Sequence, residues 1–126
     1  MSYSIKKLPA EPIVILTASA DAASQSDLET VYTQLKTILD QSTEMLTIIQ
    51  DVQQLQNVDL DGIMRSASAS MDFHKHPHMG TSIMVTTSTI YKMAAQGLDS
   101  NFFANQKVMV FDSMEAALAY ARKNRA

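Results

Sequence analysis

The chain contains no cysteine, which excludes disulfides, thiolate nucleophiles and the zinc patterns that depend on sulphur. Glycine is nearly as scarce: Gly62, Gly80 and Gly97 are the only three among 126 residues. They stand too far apart to form a phosphate-cradling loop or a dinucleotide fingerprint, and no Gly-x-Ser-x-Gly elbow occurs. Nor is there an excess of basic charge. Ten basic residues against 13 acidic ones leave a formal charge of -3, with no long basic run, so neither nucleic acid nor an anionic membrane is expected as a partner. No window approaches the roughly 20 apolar residues of a membrane span, and the opening "MSYSIKKLPAEP" carries no apolar segment after its lysines. These absences predict a soluble cytoplasmic protein with no cofactor.

Apolar side chains, by contrast, are plentiful. At 46% hydrophobic the chain has enough for one sizeable core and is too short for two ordinary domains, so residues 1–126 are expected to form a single domain. "IVILTAS", Ile13 to Ser19, reads as a buried strand rich in β-branched residues. The alternating "YSIKKL" before it, joined through "PAEP", predicts an antiparallel edge strand from Tyr3 to Leu8. In "SQSDLETVYTQLKTILDQ", Leu28, Val31, Tyr32, Leu35, Ile38 and Leu39 form one helical stripe, and Ser26 with Glu29 has the form of a capping box.

The alternation then continues. Met45 to Val52 is expected as a strand, Asp59 to about Phe73 as a helix with small residues along it, and Thr81 to Thr87 as a strand. "STIYKMAAQGL" follows as a helix with Ile90, Met93, Ala94 and Leu98 on its apolar face, ending near Gly97. "KVMVFD" is a further strand and "SMEAALAYARKNRA" the last helix, capped by Asp112 or Ser113, its terminal charges complementing the helix dipole. The order β, β, α, β, α, β, α, β, α implies an α/β fold: a mainly parallel sheet of about five strands with one antiparallel edge strand and four helices.

Enzymes of this shape place reactive groups after the strands, and those junctions hold little chemistry. A phospho-accepting receiver domain would need an adjacent acidic pair and a lysine at strand ends. Asp21 and Asp51 fill at most two of those places, and Lys107 lies at the wrong end of its strand. "HKHPHM" sets His74, His76 and His78 at alternate positions, a candidate metal set since imidazole is the commonest ligand, although Pro77 interrupts a regular geometry and a solvated loop accounts for the segment equally. The nine methionines fit core positions better than an adaptable binding surface.

One stretch points to a family. In "VDLDGI", Val58 to Ile63, two aspartates and a glycine stand where a helix begins, after a strand that runs into Asp51. A strand ending in aspartate, followed by Asp-x-x-Gly opening a helix, resembles the STAS domains, the SpoIIAA-like fold of anti-sigma factor antagonists. Asp51, Asp59 and Gly62 match that pattern, and the resemblance extends over nearly the whole chain, through "LPAEPIVILTAS", "HPHMG" and "VFDSMEAALAYARKN". The last of these is similar to small bacterial STAS/SEC14-like proteins. Where the family's antagonists carry two serines in the motif, this chain has Leu60 and Asp61, so the serine phospho-switch is not expected. Asp59 and Asp61 serve as helix caps, each effect worth about 1 kcal/mol, or as a fixed acidic recognition surface. Ser66 and Ser68, with Ser70, are candidate phosphosites further along.

The resemblance implies a non-catalytic regulatory or protein-interaction module. Its partner-binding candidates are Asp51, Asp59, Asp61, Gly62 and Met64, and a regulatory kinase or anti-sigma-like protein is the kind of partner implied. Helices lying mainly on one face would leave an apolar sheet face to be covered by a second copy, hence a homodimer. The alternative is a carrier for a small apolar ligand or lipid held between sheet and helices.

Overall fold

The computed structural model describes residues 3–19, 25–55, 73–98 and 108–123, with only the backbone of 25–27 and 94–98. Five strands form one sheet in the order β1-β2-β3-β4-β5: β1 Tyr3–Lys7, β2 Ile13–Ala18, β3 Leu46–Asp51, β4 Met79–Val85 and β5 Val108–Phe111. β1 pairs antiparallel with β2, and every later pair is parallel. Three helices accompany them among the described residues, α1 Gln25–Gln41, α2 Thr89–Leu98 and α3 Met114–Lys123. The sequence predicts four; the helix expected from Asp59 to about Phe73 lies, up to residue 72, outside the described residues.

β3 is the centre of the sheet. Leu46, Thr47, Ile48, Ile49 and Gln50 are all buried, which requires cover on both faces. On one face Val14, Leu16, Leu46 and Ile48 meet the α1 stripe of Leu28, Val31, Tyr32, Leu35 and Leu39, closed by Phe73. On the other, Ile13, Ile49, Ile83 and Val85 meet Ala117 and Ala121 of α3. Each fully buried aliphatic side chain contributes about 1.5–3 kcal/mol. The apolar face for which a second copy was expected is therefore covered by the chain's own last helix, which removes that reason for a homodimer.

Local chemistry accounts for most boundaries. Lys7 donates from Nζ to the carbonyls of Leu8 and Glu11, holding the turn between β1 and β2. There Ala10 adopts φ 60°, the left-handed region seldom taken by a residue with a Cβ. α1 already includes Gln25, so Ser26 lies inside the helix and not at the cap expected of it. Ser88 caps α2, accepting the Tyr91 N–H at 3.4 Å, and of the two candidates for α3 it is Ser113 that accepts the Ala116 N–H at 3.1 Å. Asp112 instead meets Lys92 at 2.9 Å. Arg122 at the far end of α3 reaches Glu11 through Nε at 3.0 Å.

Two expectations are corrected. β4 begins at Met79, two residues ahead of the expected Thr81, because the β3–β4 register shifts between Leu46 and Ile48. This irregularity brings Gly80 so close to β3 that a Cβ there would lie 2.9 Å from the Leu46 carbonyl oxygen. On α2, two members of the expected apolar face, Ile90 and Met93, are 43% and 66% exposed, while Tyr91 is buried; the side chains of Ala94 and Leu98 lie outside the described residues.

Gly80→Ala is expected to lower the unfolding free energy by about 1–3 kcal/mol, since backbone on both sides must move. Ser113→Ala is expected to cost about 1 kcal/mol through loss of the cap. Urea denaturation of both variants against the parent chain checks the pair.

Candidate functional site

β2, β3 and β4 are parallel, so their carboxyl ends share one edge of the sheet. Two sets of groups gather there, one on each face of β3.

The first is Asp51, the last residue of β3 and partly exposed. Its Oδ1 accepts from the Gln53 backbone N–H and from Gln53 Nε2, both at 3.1 Å. An aspartate accepting the N–H two residues ahead stabilises a tight turn. The Val52 N–H continues the ladder to the Val85 carbonyl at 3.1 Å, and the Leu55 N–H closes the turn on Val52 at 3.2 Å. Asp59, Asp61, Gly62, Met64, Ser66 and Ser68 lie outside the described residues.

The second set was not anticipated from the sequence. Gln50 points to the opposite face from Asp51, toward α1, and accepts from the Tyr32 hydroxyl at a long 3.5 Å. Its neighbour in β4 is Met84, which packs with Tyr91 of α2. Gln50 and Tyr91 are 9% and 8% exposed. Burial, reinforced by the Tyr3 and Tyr32 phenols, raises the Tyr91 hydroxyl well above the ordinary tyrosine range. Tyr91 therefore stays protonated and able to donate at any physiological pH. The signal that would have found this set is the carboxamide of Gln50 directly after Ile48 and Ile49 in the run "MLTIIQDV".

The three histidines lie at the opposite edge, where β3 and β4 begin, and each is turned to a partner of its own. His74 stacks on Phe73, ring centroids 4.4 Å apart, and meets Ser82 Oγ through Nε2 at 3.0 Å. His76 accepts the His78 backbone N–H at Nδ1, which leaves its proton on Nε2 to be donated to Asp40 at 2.6 Å. His78 donates from Nδ1 to the Leu39 carbonyl at 2.9 Å. The loop thus fastens the end of α1 to the start of β4, and no group of three metal-ligating side chains converges among the described residues.

No protein-family model matches the chain, and no curated protein does. A solved structure is similar over nearly its whole length. It is an uncharacterized protein of the DUF3478 family from Shewanella loihica PV-4 with a SpoIIAA-like fold, at 13% identity and a TM-score of 0.67, covering 94% of this chain and 91% of that one. This chain has a SpoIIAA-like fold.

Within that SpoIIAA-like sheet Asp51 ends β3. Among the described residues no helix is long and apolar enough to cross a membrane.

The raised Tyr91 gives a pH signature. Its hydroxyl titrates near pH 10 in the unfolded chain and higher in the folded one, so its contribution to stability is complete below pH 10 and is lost as pH rises beyond it. Thermal melts between pH 8 and 12 are expected to show a steeper alkaline loss for the parent chain than for Tyr91→Phe.

Proposed function

We propose that this SpoIIAA-like chain is a non-catalytic regulatory module that binds another protein through the carboxyl edge of its sheet, over the surface that starts at Asp51 and includes Asp59, Asp61, Gly62 and Met64. The observation that supports this most directly is the state of Asp51. Gln53 holds one carboxylate oxygen in a fixed direction, while Oδ2 has no hydrogen bond among the described residues. A pre-oriented carboxylate at a partly exposed strand end suits a partner's N–H or cationic group, because its turn geometry is set before binding.

The motif composition supports the same reading. Asp61 carries charge permanently where a motif serine would carry it only after phosphorylation, and Asp59 keeps the motif's own aspartate, so recognition does not wait on a kinase. A regulatory kinase or anti-sigma-like protein is the class of partner that the family resemblance implies. The fold likeness is compatible with that role.

The decisive experiment compares the parent chain with the triple variant Asp51→Asn, Asp59→Asn, Asp61→Asn. Crosslinking in host extract, quantified by mass spectrometry, is expected to show a specific companion protein reduced at least ten-fold in the variant, as follows from losing a charged hydrogen bond at an interface. The melting temperature should fall only by the modest amount due to lost caps. A lowered melting temperature with the companion retained would reduce the aspartates to helix caps.

A further inference from the structure

Gln50 and Tyr91 are buried polar side chains short of hydrogen-bond partners among the described residues. Both are more than nine-tenths buried. The Gln50 carboxamide has one hydrogen bond, to the Tyr32 hydroxyl. Whichever way the amide is turned, one of its two polar ends is left without a partner among the described residues. The Tyr91 hydroxyl likewise has no hydrogen bond among them. Leaving buried donors without acceptors costs more than a typical hydrogen bond returns, and such groups in a folded protein call for a reason.

Their placement supplies one. Gln50 and Met84 are adjacent across β3 and β4, and Tyr91 packs on Met84 with Val52, Leu55 and Val108 beside it. Gln50 and Tyr91 therefore both adjoin Met84 in an apolar setting at the carboxyl edge, where open parallel sheets receive ligands. We propose that Gln50 and Tyr91 form a binding site for a small molecule that carries a carbonyl-type oxygen, as a ketone or carboxylate, on an apolar body. The two lone pairs of such an oxygen accept the Tyr91 O–H and one Gln50 N–H together. The apolar body rests on Met84, Val52, Leu55 and Val108.

Electrostatics narrows the class further. Tyr3 and Tyr32, phenols and not cations, are the groups that act on the Tyr91 hydroxyl. Lys92, next to Tyr91 in the chain, is committed to Asp112. Neutral donors stabilise an uncharged or singly charged acceptor, whereas a phosphate dianion would be desolvated with no compensating cation among the described residues. The site lies on the opposite face of β3 from the Asp51 carboxylate and stands or falls independently of the protein-binding surface.

Octan-2-one, octanoate and octane share a chain length and differ in the oxygen. Each is titrated into the full chain while the side-chain signals of isotope-labelled tyrosine and glutamine are followed by NMR. Saturable shifts of Tyr91 and Gln50 are expected with octan-2-one, octanoate or both, the better of the two identifying a neutral carbonyl or a carboxylate as the natural head. The affinity is expected to weaken about ten-fold in Tyr91→Phe, a variant that removes only the hydroxyl. Octane binding as tightly as the oxygenated probes would overturn the site, leaving only an apolar crevice. Unchanged affinity in Tyr91→Phe, or no saturable shift from any probe, would overturn it as well.

Discussion

Everything in this structure depends on β3 being dry on both faces. With Leu46 through Gln50 all buried, the strand cannot hold its place unless two separate layers cover it, and those layers come from distant parts of the chain. α1 provides the first, through a stripe of five buried side chains. α3 provides the second with small residues, Ala117 and Ala121, which let the helix lie close over Ile49, Ile83 and Val85. The polar groups at the sheet's two ends are positioned as a result. His76 and His78 tie the end of α1 to the approach of β4, while Gln50 and Asp51, consecutive residues at the other end, are sent to opposite faces by the alternation of a strand.

Much of this architecture was legible in the residues, because the signals for it are local. The "IVIL", "TIIQ" and "SIMV" runs mark strands without reference to the rest of the molecule, and the α1 stripe is regular enough to specify both a helix and its buried side. The sequential strand order follows from short crossovers of one hand. What failed was information that lies between elements. Right-handed crossovers place α1 and α2 on the same face, but the helix after the last strand has no following strand to constrain it. It was free to fold to the other side, and nothing in "SMEAALAYARKN" says so. The outward turn of Ile90 and Met93 has a similar origin. α2 docks near the edge of the sheet, where among the described side chains Tyr91 packs on Met84. Small irregularities also escaped: the shift that starts β4 at Met79 depends on how closely Gly80 approaches Leu46.

The candidate sites divide along the same line. Asp51 was recognisable because a strand that ends in aspartate is a contiguous pattern. The pairing of Gln50 with Tyr32 and the packing of its neighbour Met84 on Tyr91 were not, since these residues belong to four elements and meet only after the sheet assembles. The histidines show the reverse error. Their regular spacing suggests a common ligand, yet a turn divides them, so that neighbours in sequence address Ser82, Asp40 and Leu39 separately. Spacing predicts convergence only where the backbone between the residues is regular.

The cover that α3 gives to the second face also sets an order of events during synthesis. All five strands precede residue 114, so they leave the ribosome before the helix that shields Ile13, Ile49, Ile83 and Val85. The nascent sheet passes through an interval with one face packed and the other bare, the kind of species that chaperones bind and that self-associates when they do not. The contact between Arg122 and Glu11, 111 residues apart in sequence, forms only when that interval ends. The last helix acts as a latch in time as well as in space.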